Sequence, residues 1–299
     1  MKNVYIRSNN SIAKMSLIYF ISLLPLIAYG FYKNGIFLYL KGYTNLIGLF
    51  KPLFMTASGG LIGAIVNVIY EKLISKKESG IKEALFSSFH ITYGLLIASL
   101  ISINVNIFLF IIITFVLLLT SKFIKNKNIN IVALTSLIII LLSYLFSKYT
   151  YLNAYEQNTI LKLNAVDYLF GRGSGGINTT CVALIILSLL LLWTSNIYKR
   201  DIPIYSFITF LLLIVGYCIY KNNIANIFSI LFTNGTLFAF TFVATDPLSS
   251  SYTKNGKIIY SMLIGLLTFI FYLINPSLAV LGAILISSIL ASVIDLKFE

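Results

Sequence analysis

Ten apolar runs alternate with short polar stretches along the chain, at residues 15–32, 53–74, 84–103, 105–123 and 129–146, then 179–197, 202–220, 224–245, 258–274 and 277–294. Each is close to the ~20 residues that a helix needs to cross a bilayer core. Membrane-spanning strands are shorter and alternate polar with apolar positions. These runs do neither, so the pattern predicts an all-α polytopic membrane protein with about ten transmembrane helices.

The two longest stretches outside the runs lie near 33–52 and 148–178. The second divides a single membrane domain, 1–299, into residues 1–147 and 179–299, each with five spans. An odd number of spans per half turns the halves over relative to each other, so two inverted five-helix repeats are expected. A matching motif is found at the required offset. Thr92-Tyr93-Gly94-Leu95-Leu96-Ile97-Ala98 and Thr233-Asn234-Gly235-Thr236-Leu237-Phe238-Ala239 both read T-x-G-x-L-x-A.

Composition agrees with the pattern. Only 10% of residues are charged, 59% are hydrophobic and the mean hydropathy is +0.93, whereas a soluble domain carries about 25% charged residues. A soluble enzyme is excluded. The net charge of +13 reflects 22 Lys+Arg against 9 Asp+Glu. With a cytoplasmic N-terminus, 15 of those cations fall in inside stretches and 7 outside, as the positive-inside rule requires. The expected location is the cytoplasmic membrane, with both termini inside and the 148–178 loop outside. Cations grouped between spans face a lipid bilayer rather than a nucleic acid, which is not an expected partner. Cys181 and Cys218 lie at or within apolar runs without C-x-x-C spacing and read as inert buried thiols. The first apolar run lacks a small-residue cleavage site after it and reads as a span rather than a signal peptide.

Polar chemistry is sparse within the runs. Asn234-Gly235 is a turn signal inside one of them. Irregular backbone at membrane depth is tolerated where protein or a water-filled cavity satisfies it, and paired discontinuous helices mark a transporter's central site. Thr92, Gly94, Thr233, Asn234 and Gly235 are therefore candidate ion-pathway residues through two broken helices; close helix packing is the alternative, and the preferred one for Gly94 alone. The eighth run ends in Ala244-Thr245-Asp246-Pro247. Proline stops the helix near Thr245, leaving Asp246 where the macrodipole disfavours an anion. Asp246 then needs a cap, Lys254 or Lys257, or a bound cation, and Thr245 and Asp246 join the candidate pathway.

Residues 167–180 hold Gly171, Gly173 and Gly176 in formal G-x-G-x-x-G spacing. No βαβ unit surrounds them, so a dinucleotide fold is rejected. Glycine-rich backbone leading into a helix start still suits an anion, which makes Gly173, Ser174, Gly175, Gly176, Thr179 and Thr180 candidate phosphate or flavin contacts. A flexible loop is the alternative. His90, the sole histidine, reads as a packing residue rather than a proton relay, and Trp193, the sole tryptophan, as an interface anchor. No metal-ligand spacing and no nucleophile–base pair is found, so no metal site and no catalytic residue is assigned.

These motifs resemble a known family, the RnfD component of the Rnf complex and the NqrB component of the sodium-pumping NADH:quinone reductase. Residues 238–250, around Ala244-Thr245-Asp246-Pro247, are similar to the family's ATDP stretch, with Thr253, Gly256, Ile259, Tyr260, Gly265 and Asp295 at matching spacings. The 167–180 loop is similar to the family's glycine segment, and residues 82–102 to its third span. The resemblance implies a urea-transporter-like fold. It also implies an integral component of a redox complex that couples flavin-mediated electron transfer to Na⁺ or H⁺ movement, with other complex subunits as partners. It implies FMN esterified to a threonine of an S-G-A-T-like motif. That motif is absent here, and Thr159, within Gln157-Asn158-Thr159-Ile160-Leu161, stands nearest to its place. The family's N-x-F-N-P-A stretch is replaced by residues 125–130. A small-solute channel on the same scaffold and a flavin-free scaffold protein of the complex are the competing expectations.

Overall fold

The computed structural model describes residues 12–74, 80, 84–124, 128–146, 150–151, 163–195 and 198–298, and every regular element among them is helical. Helix α1 (Ile12–Leu40) and α2 (Leu46–Ile74) each run 29 residues. They are followed by α3 (His90–Leu100), α4 (Ile107–Ser121), α5 (Ile131–Phe146) and the single turn α6 (Ala165–Leu169). Then come α7 (Val182–Trp193) and α8 (Asp201–Tyr220). The short helices α9 (Ile224–Phe232) and α10 (Thr236–Val243) are bent by 50° across a three-residue break, and α11 (Lys254–Ile274) and α12 (Ala279–Phe298) complete the described chain.

Five of these helices are long and apolar enough to cross a membrane, and the α9–α10 pair makes a sixth. Four shorter apolar helices, α3, α4, α5 and α7, account for the remaining predicted runs. At 1.5 Å per residue α3 is only about 16 Å long, roughly half a bilayer core. The molecule is apolar inside and out. Leu23, Met55, Phe110 and Phe210 are buried, while Leu61, Leu212 and Val293 on long helices are exposed. That arrangement suits a multi-pass membrane protein, whose surface meets lipid rather than water.

The expected polar stretch at 33–52 is corrected to a five-residue turn, because α1 continues through Lys33-Asn34-Gly35 as one π turn. Lys33 is fully buried, and its ammonium donates to Gly173 O at 2.5 Å; Asn34 Nδ2 donates to Ile177 O at 2.9 Å. Partners distant in sequence satisfy polar groups that would otherwise end the span. Gly94 is corrected as well. It lies inside the unbroken α3, and a Cβ there would overlap Gly59 O on α2, so its role is close packing.

Helix α1 packs on α7, α2 on α3 and α4, α4 on α5, α8 on α11, α11 on α12, and α5 on α12. Asn130 pins the middle. Its Nδ2 donates to Val243 O at 2.8 Å and Ser249 Oγ at 3.0 Å, its Oδ1 accepts from Ala133 N at the start of α5, and its own amide donates to Ser288 Oγ on α12.

Candidate functional site

The α9–α10 break is built by left-handed backbone. Asn234 has φ +57° and Gly235 φ +72°, a conformation that costs ordinary L-residues about 1–2 kcal/mol. The glycine loop fills the gap that the break opens. Asn234 N donates to Ser174 O at 3.2 Å, and the Thr179 side chain lies against Gly235. On its other side the loop closes the C-terminus of α3. Asn178 N donates to Ser99 O and Ile177 N to Ile101 O, while Asn178 Nδ2 donates to Ser99 Oγ at 3.0 Å. Two sets of residues that sequence placed apart, Gly173–Thr180 and Thr233–Gly235, thus form one cluster at one end of the α3–α10 pair.

The opposite end of that pair gathers around Asp246. Its carboxylate accepts from Tyr93 OH at 2.7 Å, from Ser249 Oγ at 2.6 Å and from Ser249 N at 3.1 Å. The compensation expected at this helix end is therefore a cap on the following turn together with a tyrosine from α3, rather than an ion pair to Lys254 or Lys257. Burial pushes the Asp246 carboxyl above the usual carboxylate range, while Ser249, Tyr93 and the Lys199 charge pull it down. A cavity of about 360 Å³, lined by Tyr70, His90, Tyr93, Lys122, Asp246 and Leu248 among others, opens beside it. His90 uses both ring nitrogens, on Ser88 Oγ and Ser121 Oγ at 2.8 Å each, as a packing residue would.

Between the two ends the protein is closed. Tyr19 of α1 meets Phe89, just before α3, and Phe242 of α10 in T-shaped contacts, and Tyr93 of α3 lies tilted against Phe89. The gap they share with Thr92 and Asp246 has no room for a water molecule. Thr92 Oγ1 is held by Ser16 Oγ at 2.8 Å, and Thr245 Oγ1 donates to Thr241 O at 2.7 Å. Helix α3 ends at the glycine loop, where α10 begins, and α10 ends at Asp246, beside the start of α3. Each end of this antiparallel pair therefore presents one helix C-terminus, whose partial negative charge favours a cation.

The glycine loop is neither a flexible segment nor an open anion cradle. A Cβ at Gly175 would meet Thr180 Cγ2 at 2.9 Å and Thr179 Oγ1 at 3.1 Å; one at Gly176 would meet the carbonyls of Ser99 and Leu100 at 2.5 Å. Thr179 and Thr180 are buried. The loop residues do not fit a flavin, because protein already fills the space between them. Thr159 lies outside the described residues. Lys33, Asn130 and Tyr93, which position both clusters, carry no motif of their own; a lysine within apolar sequence was the only available signal, and it read as a span end.

A polytopic bundle with a broken helix, two antiparallel half-length helices and a buried carboxylate at a cavity defines a multi-pass membrane protein with polar groups held inside it. Residues 1–299 match the family described as NQR2, RnfD, RnfE, and the chain belongs to that family. It is 45% identical over 67 residues, 22% of this chain, to the B-subunit of a Na(+)-translocating NADH-quinone reductase from Chlamydia pneumoniae, covering 13% of that protein. It is 33% identical over 116 residues, 38% of this chain, to the D-subunit of the ion-translocating oxidoreductase complex of Mannheimia succiniciproducens, covering 32% of it. The corresponding D-subunit of Haemophilus ducreyi is 39% identical over 72 residues, 23% of this chain and 20% of that protein. The matched stretches thus span less than a third of these relatives' length.

Proposed function

We propose that the chain is the integral membrane component of an Rnf/Nqr-type ion-translocating oxidoreductase in the cytoplasmic membrane, and that a cation, Na⁺ or H⁺, passes between α3 and α10 by way of Asp246. The observation that carries the route is Asp246 itself, a buried carboxylate bonded to Tyr93 of α3 and set at the head of the 360 Å³ cavity. Ionisable groups buried inside a membrane bundle are costly to retain and are found along ion pathways. The aromatic contacts of Tyr19, Phe89 and Phe242 give the closed state, and separation of α3 from α10 would open it.

We further infer that α1–α5 and α7–α12 are inverted repeats. The helix pairings support this reading: α2 on α4 is matched by α8 on α11, α4 on α5 by α11 on α12, and α1 on α7 and α5 on α12 join the halves. Both termini then lie on the Asp246 side, which positive-inside counting makes cytoplasmic. The relatives' names supply the redox partners. FMN at Thr159 rests on the family resemblance alone.

Affinity purification of the tagged chain from its native membrane, followed by intact-mass measurement with a Thr159→Ala control, tests the assignment. Co-purifying redox subunits are expected. An FMN mass increment lost in the variant would place the flavin at Thr159, and a bare polypeptide mass would remove it. A chain that purifies alone and moves a small solute without redox partners would contradict the reading.

A further inference from the structure

A second cavity, of about 310 Å³, opens where α7 ends and α8 and α11 begin, and Trp193, Tyr198, Lys199, Arg200, Asp201 and Lys257 line it. Three cations face one carboxylate. Asp201 sits in the first turn of α8, where the helix macrodipole already stabilises it. Among the described residues, Lys199, Arg200 and Lys257 form no ion pair with a carboxylate. Lys199 donates only to neutral acceptors, Ser250 O at 2.8 Å and Ser250 Oγ at 2.7 Å. Its amine is held down to about 8, chiefly by burial and also by Lys257, against the opposing pull of Asp246 and Asp295. The cavity thus gathers three cations around one carboxylate, and among the described residues none of the three forms an ion pair with a carboxylate.

Its position identifies what would compensate it. The cavity lies at the ends of three apolar helices, where a bilayer's headgroup layer would meet them. Ile204 and Ile208 of α8 and Ile259 and Met262 of α11 leave it as exposed apolar side chains, and the half-exposed Trp193 stands at its edge as interfacial indoles do. We propose that this cleft binds the phosphate headgroup of an anionic phospholipid, with Arg200 and Lys257 on the phosphate and the acyl chains along α8 and α11. Basic pockets between membrane helices recognise such headgroups by charge. The site needs only the membrane fold, whether or not a cation passes Asp246.

The test is native mass spectrometry of the full chain in mild detergent with added phosphatidylglycerol, phosphatidylcholine or inorganic phosphate. Arg200→Gln/Lys257→Gln leaves the Lys199 bonds intact, and Lys41→Gln/Lys221→Gln removes the same charge elsewhere. Phosphatidylglycerol is expected to bind in preference to phosphatidylcholine, about thirtyfold more weakly in the Arg200/Lys257 variant and unchanged in the control. Equal binding of the two lipids, or unchanged affinity in the Arg200/Lys257 variant, would overturn the site. Inorganic phosphate binding as tightly as the lipid would overturn the lipid assignment.

Discussion

Asp246, Lys199 and Asn130 show what holds polar side chains inside this protein. Lys199 titrates near 8 in the fold against an ordinary 10.5, for want of solvent and because Lys257 is near, although Asp246 and Asp295 oppose the shift. The unfolded chain therefore binds more protons than the folded one between those two values. Stability is expected to rise with pH across that window, and Lys199→Met should flatten the rise in thermal unfolding followed in detergent. Asn130→Ala leaves the Val243 carbonyl with only the longer bond from Asp246 N and takes the side-chain cap from the start of α5; a loss of about 1–3 kcal/mol is expected by the same measurement. Asp246→Asn keeps a side chain of the same shape and removes the charge; its oxygen can still accept from Ser249, while its NH2 donates to the Tyr93 hydroxyl, which reverses that bond. The variant should fold with near-normal stability and lose cation transport.

At the level of elements, the two glycines of the repeated motif perform different tasks. Gly235→Ala forces an L-residue into left-handed backbone against Thr179 and should cost about 1–2 kcal/mol. Gly94→Ala should cost about 1–3 kcal/mol by wedging α3 from α2, with no change at the α9–α10 break. Hydrophobic patterning located all ten helical segments, but not the length of each. Ile101 and Cys181 are as buried as helical neighbours, yet they lie in extended backbone at the end of α3 and the start of α7. Hydropathy reports burial and is silent on conformation, so α3 and α7 read as full spans. Lys33 erred in the other direction. A charge within apolar sequence reads as surface, and only the folded chain shows the Gly173 carbonyl that allows α1 to continue. Of the candidate site, Asn234-Gly235 and Asp246-Pro247 were legible because local backbone chemistry dictates a turn and a stop. The seating of the glycine loop in the break was not, because no local pattern encodes a contact between residues 174 and 234.

On the scale of the whole molecule, the long helices, the bent pair and the outward apolar surface establish a multi-pass membrane protein of the NQR2, RnfD, RnfE family. Cys181 and Cys218 are buried and unpaired with each other, so a maleimide should label neither in the native state and both after denaturation. That makes single cysteines introduced at residues 42 and 255 clean reporters of topology: the proposed arrangement exposes the first outside and the second inside. The central claim is that electron flow through the complex drives a cation past Asp246. The most direct measurement is cation uptake by sealed vesicles carrying the intact complex, energised with a reduced donor, compared between the native chain and Asp246→Asn at equal assembled amounts. Donor-dependent Na⁺ or H⁺ uptake that the substitution abolishes is the expected result. Uptake unchanged in Asp246→Asn would contradict it.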